Sequence, residues 1–116
     1  KALASQSYWN ASTNDYAVGN DLTTNNKTLF GAVPAGTCSG SSFNLAGEYA
    51  YFWSVTQHAS NPRGAYYCDL GCDYAYVSIY YSRKNQGFSV RCVCDLSPMD
   101  FAAWYYNQYG SYNHQL

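Results

Sequence analysis

The stretch Glu48-Tyr49-Ala50-Tyr51-Phe52-Trp53-Ser54-Val55-Thr56 alternates without a break, Tyr49, Tyr51, Trp53 and Val55 on one side and Ala50, Phe52, Ser54 and Thr56 on the other. A period of two is that of a β-strand, and aromatic and β-branched side chains suit its pleated surface. Both faces carry bulk, so the strand has two useful faces. Downstream, Gln57 to Gly64 holds Asn61-Pro62 and Gly64 and predicts a loop into a shorter strand, Ala65 to Cys68. Cys68-Asp69-Leu70-Gly71-Cys72 then sets two cysteines about a three-residue turn ending in Gly, which predicts a tight hairpin with the thiols at disulfide distance; pairing of each elsewhere is the alternative.

A long strand is expected over Asp73 to Ser82, a loop over Arg83 to Gly87, and a return strand over Phe88 to Cys94. A reversal centred between Asn85 and Gln86 sets Ile79 opposite Cys92, Val77 opposite Cys94 and Tyr81 opposite Val90. Two alternations then agree on one buried face of Ala75, Val77, Ile79, Tyr81, Phe88, Val90, Cys92 and Cys94. The other face carries Tyr74, Tyr76, Ser78 and Tyr80, with Arg91 across from Tyr80. Such a tyrosine strip either lies under loops as a second core, the commoner outcome, or stays exposed as a contact surface.

The flanks differ in kind. The first third is rich in Asn, Thr, Ser and Gly after a helix-compatible start at Ala2 to Ser5. Tyr8, Trp9, Tyr16, Leu22, Leu29 and Phe30 recur too often for a solvated tail, so it is expected as ordered loop, ending in the turn Pro34-Ala35-Gly36. Beyond Asp95, Ser97-Pro98-Met99-Asp100 supplies a capping hydroxyl, a first-turn proline and an acid at the positive end of a helix dipole. A short helix to about Asn107 is predicted, presenting Phe101, Trp104 and Tyr105 on one side. The organisation expected is one domain over residues 1–95 and an aromatic-rich extension over residues 96–116.

Only 11% of the 116 residues are charged, against about 25% in an average protein, while aromatics reach 19% with 14 tyrosines. Much of the exterior must therefore be Tyr, Asn, Ser, Thr and Gln, a surface suited to extracellular contacts. A net charge of -1 with six scattered basic residues leaves no stripe to neutralise a run of phosphates, which argues against nucleic acid and anionic membranes. No apolar run is long enough to cross a bilayer, and no basic, hydrophobic leader precedes Lys1, so the chain is expected to be mature or a fragment. Five cysteines, Cys38, Cys68, Cys72, Cys92 and Cys94, suggest disulfides and an oxidising compartment, with one left over as a buried thiol or a link to another chain. The sequons Asn10-Ala11-Ser12 and Asn26-Lys27-Thr28 fit an exterior location.

The chemistry available is sparse. His58 beside Ser60 and the near-terminal His114 are the only histidines, and Glu48 is the only glutamate, so neither a nucleophile with its base nor a carboxylate pair is in place. No catalytic residue and no cofactor are expected. Asp69, Asp73 and Asp95 could hold calcium, but turn chemistry explains Asp69 and Asp73 equally well, and the cysteine spacings do not suit zinc; no metal site is assigned. A sugar needs aromatic faces and planar amides, and a protein partner needs Tyr, Trp and Arg anchors. Both point to His58, Asn61 and Arg63 in the loop and to Tyr74, Tyr76 and Tyr80 in the strip.

Three segments carry a resemblance: Asn25-Asn26-Lys27-Thr28-Leu29-Phe30-Gly31-Ala32-Val33-Pro34-Ala35-Gly36, Tyr51-Phe52-Trp53-Ser54, and Gly87-Phe88-Ser89-Val90-Arg91-Cys92-Val93 with Asp95. Together they resemble the Fibrobacter succinogenes major paralogous domain from about Lys1 to Asp95, the last segment being the specific one. The resemblance implies a β-dominated α+β fold, with a C-type-lectin-like antiparallel sheet, long ordered loops, few short helices and disulfides, akin to formylglycine-generating enzymes. It implies secretion or display on a bacterial surface, no established catalysis, and framework roles for Trp53, Phe88, Val90 and Arg91. The cysteine chemistry with copper of the enzymatic relatives is not expected, since the cysteines here look structural.

Set against that pattern, the opening strand, helices and tryptophan-proline motif expected ahead of Lys1 are not among these 116 residues, and Leu96 to Leu116 are added. Apolar surface and a sheet edge left open by such a loss invite pairing with another chain. The function expected is a non-catalytic extracellular module for adhesion or for binding a glycan or protein. The alternative is a self-assembling filament subunit, in which Phe101, Trp104 and Tyr105 join copies of the chain.

Overall fold

The computed structural model describes residues 1–93 together with Ala103, Tyr106 and Asn107. Among them β structure dominates, and helix is confined to one 3-10 turn, Leu22–Thr24, and the three C-terminal positions. The strands are β1 (Thr37–Ser39), β2 (Ser42–Asn44), β3 (Tyr49–Gln57), β4 (Gly64–Gly71), β5 (Val77–Arg83) and β6 (Gln86–Gly87). They form two antiparallel three-stranded sheets, β2-β1-β6 and β3-β4-β5.

β3 is the strand read from the alternation, displaced by one residue. Its small-and-apolar face, Ala50 and Phe52, is buried, and the register sets Ala50 beside Leu70 and Phe52 beside Cys68. The layer that covers this face comes from the first third of the chain: Ala4, Trp9, Val18 and Ala32 are buried there, with Leu3, Leu22 and Phe30 packed against them. Phe30 meets Phe52 edge-on at 5.5 Å between ring centroids, a favoured aromatic geometry. The layer has no repeating secondary structure, so its polar backbone is tied locally. Buried Asn25 donates through its amide to Ser5 O at 3.0 Å and Val18 O at 3.2 Å, and the backbone bridges Ala4 to Ala32. The expectation of ordered loop holds, although Tyr8, Tyr16 and Leu29 face outward and the Ala2–Ser5 start forms turn and bridge, not helix.

The outer edge of β3 is closed by two segments distant in sequence. Gly36 N–H donates to Tyr49 O at 2.9 Å, and Ser89 lies parallel to Phe52, donating to Tyr51 O at 3.0 Å and accepting from Trp53 N–H at 3.1 Å.

Downstream of β3 the strand pairing differs from that expected. Cys68-Asp69-Leu70-Gly71 is not a turn but the second half of β4, because Leu70 continues the inward alternation into the core. The reversal follows it instead. Tyr74 N–H donates to Gly71 O at 3.1 Å, and the bare Cα of Gly71 makes room for the Tyr74 ring, which a Cβ would meet at 2.6 Å. Residues four apart in an extended chain are roughly 13 Å apart, beyond disulfide reach, so the Cys68–Cys72 staple is ruled out by geometry. Cys38, Cys68, Cys72 and Cys92 are all free thiols, and Cys94 lies outside the described residues.

An eight-residue β4 offers seven partners to β5, and β5 takes them: Ile79 lies opposite Cys68, Val77 opposite Leu70 and Tyr81 opposite Tyr66. The expected pairing of Ile79, Val77 and Tyr81 with Cys92, Cys94 and Val90 is therefore not formed. After Arg83 the chain leaves for β1, where Gln86 and Gly87 pair with Ser39 and Cys38. The buried face assigned to Ala75, Val77, Ile79, Tyr81, Val90 and Cys92 is accordingly open to solvent, with Val77 43%, Ile79 72% and Val90 70% exposed. Of that set Phe88 packs on the opposite side of the sheet, and Tyr81, though exposed, meets the His58 ring at 4.1 Å.

The thiols give a chemical test. Burial raises the pKa of Cys72, with Asp73 and Glu48 adding to the shift, whereas Cys92 is exposed. A thiolate is the reactive form. Iodoacetamide on the native protein is expected to label Cys92 first and Cys72 only after unfolding, read by peptide mass; equal rates for the two would contradict this packing.

Candidate ligand-binding cleft

The two faces of the β3-β4-β5 sheet are built for different purposes. Opposite the core lies an aromatic slab: Phe88 stacks on Tyr51 at 4.8 Å and packs on Trp53 at 4.5 Å and on Tyr67 at 4.8 Å. Tyr49 stacks on Tyr51 at 5.5 Å, and Tyr74 joins through Tyr49 and Tyr76. Burial, with the Tyr49 hydroxyl donating a hydrogen bond to Tyr74, pushes the Tyr49 phenol up to about 12.

Asp69 sits within this slab, buried, and desolvation raises its pKa, with no cation or donated hydrogen bond among the described residues to offset it. A folded-state pKa above the unfolded value means stability is full below the ordinary carboxylate range and declines as pH rises through the raised value. Asp69→Asn is expected to raise the urea midpoint at pH 7 and to lose that advantage near pH 4. A variant less stable than the parent at pH 7 would show that the carboxylate is needed there.

At one end of the sheet, the register that pairs Gly64 with Arg83 brings together two loops. Between them opens a cleft of about 670 Å³ lined by Asn61, Pro62, Arg63, Arg83, Lys84 and Asn85. Its volume is that of a small-ligand site. The walls are fixed by backbone: Gly64 N–H donates to Asn61 O at 2.9 Å, Arg63 N–H to Asn61 Oδ1 at 3.1 Å, and Lys84 N–H to Arg63 O at 2.9 Å across the gap. The side chains of Arg63 and Arg83 are left exposed at the opening. A second hollow of about 340 Å³, lined by Trp53, Ser54, Val55, Gln57, Ala65 and Lys84, shares Lys84 with the first. Lys84 Nζ donates to Gln57 Oε1 at 2.5 Å, so it stands between the two.

Three of the six basic residues line this cleft, and none of the seven acidic residues falls in 49–68 or 74–94, the segments that build it. The carboxylates Glu48 and Asp73 flank the other end of the sheet, where Tyr49 pairs with Gly71. A chain of net charge -1 thus carries a locally positive end.

Of the site residues expected, the cleft unites Asn61 and Arg63 only. His58 is held beneath the loop, 4.1 Å from the Tyr81 ring and 5.5 Å from Tyr66, and does not line the opening. Tyr74 and Tyr76 lie at the opposite end of the sheet, and Tyr80 packs on Tyr67 mid-sheet. All three are at least 40% exposed, so the strip is a surface, not a second core. Phe101, Trp104, Tyr105 and the first turn of the expected helix lie outside the described residues; of that segment Ala103, Tyr106 and Asn107 are described, and they are helical. Arg83, Lys84 and Asn85 were foreseen only as connecting loop. The signal was a basic pair beside an amide, but its partner across the gap is set by strand register.

Among the described residues no cluster of three His, Cys, Asp or Glu stands ready for a metal, and Asp95 of the considered calcium set lies outside them. Among them, too, no helix is long and apolar enough to cross a membrane.

The family model of the Fibrobacter succinogenes major domain matches residues 3–94. The chain belongs to this family. No curated protein and no solved structure matches it. Of the residues that the Fibrobacter succinogenes major domain resemblance marked as framework, Trp53 and Phe88 are joined in the slab. Arg91 acts as a clasp, its guanidinium 4.5 Å from the Phe30 ring and its Nη1 donating to Phe30 O at 2.9 Å. Val90 is the exception, facing solvent.

Proposed function

We propose that this chain is a non-catalytic binding module displayed outside a bacterial cell, which takes a glycan or protein ligand in the cleft between Asn61–Arg63 and Arg83–Asn85. The observation that carries this reading is the cleft itself: pre-formed walls, amides and cations at the rim, and an aromatic hollow alongside. A lectin-like ancestry is part of the proposal, supported by a small antiparallel sheet with long ordered loops. Extracellular display is supported by the tyrosine- and amide-rich exterior. Against catalysis stands His58, whose Nδ1 has Ser60 Oγ at 3.4 Å but no acidic residue in 49–68 to orient the ring. Titrating the labelled protein with a panel of oligosaccharides should move the amide signals of residues 61–63 and 83–85. Signals moving only around Tyr74 and Tyr76 would refute the placement.

A fibre subunit is the second reading, favoured by β5. This strand has a partner only in β4 among the described residues, and Ile79 and Tyr81 beside its open edge are exposed. Open apolar edges recruit further strands. The cationic end of one copy would meet the Glu48 and Asp73 end of the next, a head-to-tail contact that does not close. Sedimentation velocity should then show polymers that Ile79→Lys dissolves; a monomer at millimolar concentration would end this reading.

A further inference from the structure

We infer that the ligand of the cleft is an acidic polysaccharide, its carboxylates held by Arg63, Arg83 and Lys84 and a neighbouring sugar ring laid on the Trp53 side. This rests on the reading of the chain as a binding module and adds the charge and class of what it binds. Two guanidinium groups and an ammonium converge on one opening with no acidic residue along its walls. Arg63 and Arg83 make no side-chain hydrogen bond among the described residues. Like charges gathered without counter-charge raise the local potential and attract anions. A guanidinium matches a carboxylate through two parallel hydrogen bonds.

The rest of the lining selects a sugar among anions. Asn85 offers an amide that both donates and accepts, and Asn61, whose Oδ1 takes Arg63 N–H, offers its amide NH2, both suited to hydroxyl groups. The adjoining hollow adds Ser54 and Gln57 and the indole of Trp53, whose ring is kept in place by Phe88 at 4.5 Å and Tyr67 at 6.2 Å. Cation and aromatic are thus side by side, with Lys84 common to both hollows, as a chain of alternating charge and ring would require. Three cations at one spot are too few to track a phosphate backbone, and the net charge of -1 opposes one.

Calorimetric titration of the full chain with polygalacturonate oligomers, and with neutral cello-oligosaccharides of equal length, tests the assignment. The acidic oligomers should bind at least about 10-fold tighter, and the affinity should fall as salt is raised. Arg63→Gln with Arg83→Gln should weaken acidic binding by about 10–100-fold, the usual loss for charge-assisted hydrogen bonds. Both side chains are exposed, so unchanged thermal midpoints will show that the double variant folds. Equal affinity for neutral and acidic oligomers, or no change in the double variant, overturns the acidic assignment while the binding reading stands. Tighter binding of a DNA duplex than of polygalacturonate also overturns it. Absence of binding to any saccharide overturns it too, and if protein ligands also leave residues 61–63 and 83–85 unmoved, the binding reading falls with it.

Discussion

Phe52→Ala is expected to cost about 3–5 kcal/mol, the range for truncating a buried phenylalanine, and to leave a domain of this size largely unfolded at 37 °C. Phe52 is 8% exposed and is the one large side chain that β3 sends into the core. It also receives Phe30 edge-on, and Phe30 is in turn clasped by Arg91. Its loss opens a cavity that Ala4, Ala32 and Ala50 are too small to fill, and it frees the loop layer from the sheet. Urea denaturation followed by fluorescence is the measurement. Val55→Ala, at a fully exposed position three residues along the same strand, should change stability by no more than about 0.5 kcal/mol. Comparable losses for the two would mean that the sheet faces are assigned the wrong way round.

Gly36→Ala should be nearly as damaging, by a different route. Gly36 has φ of +70°, where an L-residue is strained by about 1–2 kcal/mol. A Cβ there would also lie 2.1 Å from Asn44 O and 2.7 Å from Ala46 N, both backbone atoms that cannot swing aside. The clash adds about 1–3 kcal/mol of overpacking. Gly40 supplies the control: its φ of +61° is similar, but nothing lies within 4 Å of its would-be Cβ. Gly40→Ala should therefore cost only the conformational part. If the two variants unfold at the same urea concentration, the close approach of residue 36 to the 44–46 segment is refuted.

What could be read from the chain beforehand follows a physical division. β3 was legible because Ala50 and Phe52 differ in character from Tyr49, Tyr51 and Trp53, and the start of β4 because Asn61-Pro62 and Gly64 mark its loop. β5 was found but misassigned. Val77, Ile79 and Tyr81 on one face and Tyr76, Ser78 and Tyr80 on the other differ too little in polarity to say which is inside or which neighbour the strand takes. Burial went instead to Ala4, Trp9, Val18 and Ala32, in loops with no period to betray them. The cleft was half legible for a related reason: Asn61 and Arg63 stand in an evident loop, whereas Arg83, Lys84 and Asn85 join them only once Gly64 is paired with Arg83.

The seam that Ser89 makes along Phe52 fixes when this chain can become a folded object during synthesis. A growing polypeptide that ends before residue 89 has the Gly36 bond to Tyr49 but lacks the Ser89 bonds to Tyr51 and Trp53 along the same edge of β3, and β1 still lacks Gln86 and Gly87. Both sheets are completed by the same few late residues, so the nascent chain stays loose until most of it has emerged, and a truncation that removes residues 86–89 should unravel the two sheets together.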